Sequence, residues 1–87
     1  LSAGFREAGA DGAALEQEML RKARRYGIRI LGPNCLGMIR TQSKLNATFS
    51  AGQAQPGRIA VISQSGALCT AILDWAAVNE VGFSSLI

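Results

Sequence analysis

No histidine occurs in the 87 residues, so the chain offers no imidazole base, no histidine metal ligand and no phosphohistidine of its own. Cysteine is almost as scarce. Cys35 and Cys69 make neither a CxxC pair nor a Cys/His cluster, which removes metal-ligand spacing. Two cysteines are also too sparse for a disulfide scaffold, and both read as free thiols suited to a reducing cytoplasm. Aromatic residues are only 6% of the chain, and none interleaves with its basic cluster, which argues against nucleic acid as a partner. No apolar run reaches transmembrane length and no signal peptide is visible, so no membrane role is expected. Carboxylates are few as well: Asp11, Glu16 and Glu18 read as capping or surface charge, and Asp74 and Glu80 lie near a helix end. A complete acid–base apparatus is hard to assemble from these.

An apolar content of 48% with 17% charged residues excludes a disordered tail, and ten glycines against two prolines fit an α/β chain rich in tight turns. The net charge of +3 comes largely from Arg21, Lys22, Arg24 and Arg25. These fall in the last turns of one predicted helix, where cations complement the dipole; an anionic cofactor would also benefit from the positive balance. The chain starts at Leu1 rather than Met and stops at Ile87 inside an apolar run, so it reads as an interior piece of something longer. At this length a compact fold buries only about 60–65% of its unfolded surface, so partners or further segments are expected.

Leu1–Phe5 reads as the carboxyl end of a strand passing into a loop kept irregular by Gly9 and Gly12. Asp11 is the expected cap of a helix over residues 13–26, with Leu15, Met19, Ala23 and Tyr26 recurring on one core-facing stripe. Gly27 stops it and Ile28–Leu31 follows as a short strand, so residues 1–31 are predicted to form a β–α–β unit. Gly32-Pro33-Asn34-Cys35-Leu36-Gly37 lies at that strand's carboxyl end, where ligands of open parallel sheets bind. Residues 41–57 read as a connection with one short extended piece at Leu45–Phe49, closed by Pro56-Gly57.

A second β–α–β unit opens at Arg58, and RIAVISQSGAL over residues 58–68 is the most informative stretch. Arg58–Ile62 is short, apolar and β-branched, as in a parallel strand buried on both faces. Ser63-Gln64-Ser65-Gly66 supplies a small-residue turn, and residues 67–79 form the next helix. This order aims free backbone N–H groups at whatever sits above the turn, a place that suits an anion. The hydroxyls of Ser63 and Ser65 can touch an oxyanion or merely cap the helix, and Gly66 allows close approach or an unusual backbone angle. Leu68, Ile72, Trp75 and Ala76 form the predicted apolar stripe, with Trp75 a core filler; Gly82 stops the helix before the strand Phe83–Ile87.

Cys35 is adjacent to Asn34 in an open turn and invites three readings: a nucleophilic thiol, weakened by the lack of a base in the chain, a packing thiol, or a contact with a bound ligand. The Asn34 amide can hold the turn or bond a ligand, with Pro33 fixing the backbone angle that presents it.

Taken together, LSAGF, YGIRILGPNCLGMI, LNATF and ISQSGALCTAILDWA resemble the nucleoside-diphosphate-forming acyl-CoA synthetase family, in order and over nearly the whole chain. Its members include ADP-forming acetate–CoA ligases and protein lysine acetyltransferases; the alpha subunit of succinyl-CoA synthetase is a more distant relative. The resemblance implies an α/β fragment that spans two domains with parallel strands and crossover helices. Residues 1–40 would end a Rossmann-like CoA-binding domain, 41–57 connect, and 58–87 begin a flavodoxin-like, succinyl-CoA synthetase-like domain. By similarity, Leu1, Ser2 and Ala3 contact CoA, and Asn34 and Cys35 lie near the cofactor's reactive arm. Ser63, Ser65 and Gly66 face the phosphorylated histidine, and Thr70 lies near the acyl substrate. Where succinyl-CoA synthetase carries arginine and tyrosine, this chain has Gln64 and Thr70, which argues against succinate. The implied partners are small-molecule substrates, with coenzyme A or acyl-CoA bound in part by this chain. ATP or ADP with Mg would be held elsewhere in the parent or in an ATP-grasp partner subunit, within an oligomer. The alternative reading is the acyl-CoA-sensing region of a lysine acetyltransferase. A dehydrogenase module would need a G-x-G-x-x-G turn, and none occurs here.

Overall fold

Residues 2–87 are described in the computed structural model, and the chain divides into two units, Leu1–Cys35 and Leu36–Ile87. In the first unit a 3-10 turn at Arg6–Ala8 leads into helix α1, Ala10–Arg25. Helix α1 starts before the expected residue 13 because Gly9, at φ 108° and ψ −161°, turns the chain as N-cap without a side-chain bond. Asp11 is therefore not the cap; it sits in the first turn, where its charge meets the helix dipole. The carboxyl end follows the expectation for Gly27. Gly27 takes φ 65°, its N–H donates to the Arg24 carbonyl, and the Ile28 N–H reaches back to Ala23 at 2.9 Å, which together close a Schellman motif.

The predicted β–α–β unit over residues 1–31 is not formed. Neither Ser2–Phe5 nor Ile28–Leu31 is a strand among the described residues, since an extended segment becomes a strand only with a ladder partner, and this unit provides none. The face of α1 that such a sheet would cover stays open. Ala23 is buried, but Leu15 is 50% and Tyr26 68% exposed, and with Met19, Ile28 and Ile30 they line an apolar groove of about 360 Å³.

The second unit is a four-stranded mixed sheet with one helix. Its elements are β1 (Gly37–Arg40), β2 (Leu45–Thr48), β3 (Pro56–Val61), α2 (Gly66–Val78) and β4 (Phe83–Leu86), in sheet order β2-β1-β4-β3. Strands β1 and β2 form an antiparallel hairpin, closed by a 3-10 turn at Thr41–Ser43 and by Lys44 in the left-handed region. Strand β4 lies antiparallel to β1, with Ile39 opposite Leu86, and parallel to β3, with Val61 opposite Leu86. The β3–α2–β4 crossover matches the β–α–β unit expected from residue 58 onward.

Three local expectations change. Strand β1 went unpredicted because four residues between Gly37 and Thr41 are too few to show a period. Strand β3 is an edge strand with a neighbour on one side only, so Ile59, expected to be buried, is exposed among these residues, while Ile62, expected as its last residue, lies just past its end and is exposed as well. Helix α2 buries Cys69, Leu73 and Ala76, with Ile72 packed beside them, and leaves Leu68 and Trp75 more than half exposed. It is apolar on nearly every side, so spacing alone could not choose its inward face. Leu36, Ile39, Phe83 and Leu86 complete this core.

Helix α2 ends at Val78, four residues before Gly82. The Asn79 N–H and side-chain amide both bond the Trp75 carbonyl, and Glu80 takes the left-handed turn at φ 55°. Gly82 has another duty. A Cβ there would fall 2.2 Å from the Pro56 carbonyl oxygen, and one on Gly57 would fall 2.1 Å from Gly82, so the β3 and β4 backbones meet where neither can carry a side chain.

Candidate functional site

In the first unit the candidate residues gather around one backbone contact. The Asn34 N–H donates to the Ser2 carbonyl at 2.9 Å, which ties the Gly32–Cys35 turn to the loop that precedes α1. Gly32 stands at φ 100° before a cis bond to Pro33, and Asn34 follows at φ 52°, a region that asparagine tolerates. A side chain at residue 32 would also come within 3.0 Å of the Cys35 sulfur. The Cys35 thiol is half-buried and donates to the Leu31 carbonyl at 3.5 Å, which supports the packing reading. The Asn34 side chain is exposed, with no hydrogen-bond partner among the described residues, so its amide stays available to a ligand. Ser2 and Ala3 are exposed too, whereas Leu1 lies outside the described residues.

Loop and helix in this unit are joined by Glu7 and Arg6, which carried no signal in the sequence, and by Glu16, which had read as capping or surface charge. Glu7 accepts from the Gly4 N–H at 2.8 Å and the Phe5 N–H at 3.3 Å. These bonds follow its own backbone N–H as causes that hold its carboxyl below the ordinary range. The Arg6 guanidinium pairs with Glu16 on α1 at 2.9 Å, and the Arg6 N–H reaches the same carboxylate. Gly12, expected in the loop, is buried in the helix instead. A Cβ there would lie 1.8 Å from the Phe5 carbonyl oxygen, so its absence makes the notch into which the loop settles.

In the second unit the turn between β3 and α2 is set by its serines. The Ser63 N–H donates to the Ile87 carbonyl at 2.9 Å, anchoring the turn to the end of the sheet. Its hydroxyl oxygen accepts from the Ser65 N–H at 3.1 Å, and Ser65, the N-cap, accepts from the Leu68 N–H at 3.2 Å. Both serines therefore do what the plainer reading predicts. Their hydroxyl protons remain free to be given away, and no acceptor is present for the Gly66 and Ala67 N–H groups among the described residues. Gly66 does not have positive φ, and a Cβ on it would meet Leu36 at an ordinary 3.7 Å, so an unusual backbone angle is not its reason. The Thr70 hydroxyl donates to the Gly66 carbonyl at 3.0 Å, one turn into the helix. No group of three or more carboxylate, cysteine or histidine side chains that could hold a metal occurs among the described residues. No helix there is long and apolar enough to cross a membrane.

Residues 56–87 match the family described as the succinyl-CoA ligase like flavodoxin domain. Over all 87 residues the chain is 54% identical to an ADP-forming acetate–CoA ligase I of Archaeoglobus fulgidus and spans 13% of its length. It is 46% identical to the alpha subunit of ADP-forming acetate–CoA ligase I of Pyrococcus furiosus and spans 19% of that chain. The fold superposes with a TM-score of 0.88 and 42% identity on a dinucleotide-forming acetyl-coenzyme A synthetase 1 of Ca. Korarchaeum cryptofilum, solved with phosphate and ADP. That match takes in 99% of this chain and 18% of the other.

Proposed function

We propose, since this chain belongs to the nucleoside-diphosphate-forming acyl-CoA synthetase family, that it forms the junction between the CoA-binding and phosphoryl-relay parts of a cytoplasmic CoA ligase. Residues 1–35 close the CoA-binding domain and residues 36–87 open the flavodoxin-type domain, because β1 and β2, expected in the first domain and in a connection over 41–57, share one sheet with β3 and β4. Nothing in the relatives favours the acetyltransferase-sensor alternative.

The parent's reaction converts acyl-CoA and phosphate into an acyl phosphate and free CoA. A histidine then takes the phosphoryl group, releases the carboxylate and passes the phosphoryl to a nucleoside diphosphate. This chain has no histidine, so the relay group belongs to other parts of the parent. Its own task is reception. Ser63 and Ser65 give hydroxyl protons, and Gly66 and Ala67 give N–H groups, to phosphoryl oxygens above the α2 terminus. Leu1, Ser2, Ala3 and the Asn34 amide bind CoA, with Cys35 close by, and Thr70 borders the acyl group. The residues fit such ligands in kind: uncharged donors suit a phosphoryl group that must leave again. CoA supplies the thiol that carries the acyl group. Nucleotide and Mg are held by the remaining domains or an ATP-grasp partner subunit, in an oligomer.

The observation that carries this reading is the pair of uncommitted N–H groups at Gly66 and Ala67, beside two hydroxyls still able to donate. Ser65→Asp tests it. Aspartate is as good an N-cap as serine, so the helix is kept while a negative charge enters the place proposed for the phosphoryl group. Phosphohistidine labelling of the full-length variant should fall at least roughly tenfold, the effect of about 1.4 kcal/mol of repulsion; normal labelling with an unchanged melting temperature would refute the assignment.

A further inference from the structure

The segment Gly4–Gly9 is fastened to the start of α1 more firmly than an ordinary connecting loop. Glu7 gathers the Gly4 and Phe5 N–H groups on one carboxylate oxygen, at 2.8 and 3.3 Å. The Arg6–Glu16 pair, 2.9 Å long with Glu16 only 13% exposed, bolts the next residue to the second turn of the helix. Gly12 lets the Phe5 carbonyl rest where a Cβ would stand. These three attachments are independent, and all act within three residues of Ser2-Ala3 or on the element supporting them. The Ser2 carbonyl in turn receives the Asn34 N–H, so whatever fixes the loop also fixes the turn that bears the free Asn34 amide.

From this arrangement we propose that Glu7, Glu16 and Gly12 are positioning residues for the CoA-binding edge, holding Ser2-Ala3 and Asn34 in the arrangement that receives CoA. The inference rests on the reading of that edge as the CoA site. None of the three touches CoA. Each acts through the loop backbone: Glu7 by stopping Gly4, at φ 93°, from rotating its peptide, Glu16 by anchoring Arg6, and Gly12 by allowing the loop its depth. A preordered loop binds more tightly because less freedom is lost on binding.

The test is calorimetric titration of the full-length parent with CoA and, separately, with ADP. Glu7→Ala and Gly12→Ala should each raise the CoA dissociation constant roughly tenfold while leaving that for ADP within twofold. Glu7→Gln retains the accepting oxygen and should recover CoA affinity to within about threefold of wild type. Should Glu7→Ala or Gly12→Ala fail to fold, Glu16→Gln, which weakens the ion pair and keeps the side chain's shape, decides in their place. Wild-type CoA affinity in the folded variants overturns the inference alone, as does a parallel loss of CoA and ADP affinity, which marks general destabilisation. A parent that binds no CoA overturns the proposed function and the inference together.

Discussion

At the scale of single residues, the chain relies on small polar groups whose bonding is local and directional. Glu7 is the clearest case. Its own N–H lowers its pKa from 4.5 most strongly, desolvation opposes that in part, and the Gly4 and Phe5 amides each lower it further by a smaller amount. The folded value lies below the unfolded one, so the loop is fully fastened above the ordinary glutamate range and released as pH falls through the depressed value. A carbon-labelled NMR titration should find Glu7 changing below 4.5, with the Gly4 and Phe5 amide shifts moving in step; a midpoint above it would contradict these bonds. Glu18 is lowered too, first by its hydrogen bond with Lys22 and then by that residue's charge, but the pair is exposed and screened. At Ser65, alanine in place of serine removes the bond to the Leu68 N–H, and should lower stability by about 0.5–2 kcal/mol in denaturant melts.

At the scale of elements, what could be read in advance depended on whether the governing contact was near or far along the chain. The end of α1 was legible because Gly27 and the carbonyls it satisfies are neighbours. The β3–α2–β4 crossover was legible from a β-branched run, a small-residue turn and a helical stretch in order. Strand β1 was not, since its two ladder partners lie at Leu45–Thr48 and Phe83–Leu86 and four residues carry no rhythm of their own. The inward face of α2 was misjudged for a different reason. Cys69, Leu73 and Ala76 face the sheet, yet Leu68 and Trp75 are no less apolar, so composition offered no vote. Truncating Leu73 to alanine should lower stability by about 2–5 kcal/mol, measured by thermal or chemical unfolding, whereas Trp75→Ala should alter it far less within these residues. Gly82 went unread as a contact residue because only the fold brings it against Pro56 and Gly57. Gly82→Ala should cost about 1–3 kcal/mol by forcing the two strand backbones apart, and a variant of unchanged stability would show that this contact yields freely.

At the scale of the whole molecule, the chain spans 13–19% of the length of the curated relatives named above, and its activity is a matter for the parent. The full-length protein should release ADP from ATP only when CoA and a short-chain carboxylic acid are both supplied; no turnover with any such acid would defeat the ligase assignment. Of the candidate site, the two turns were legible as places, because glycine, proline, asparagine and serine announce backbone turns. The carboxylates that brace the first turn were not, because Arg6 and Glu16 lie ten residues apart and meet only through the path of the loop. Strand β4 adds a temporal consequence. It sits between β1 and β3, and Ile39 finds its second neighbour only at Leu86. On the ribosome the hairpin therefore keeps one edge of β1 bare until β4 has left the exit tunnel as well. The pace at which the chain leaves the tunnel after Thr48 then sets how long a sticky strand is left uncovered, and a nascent chain stalled in that interval would be a natural client for a chaperone.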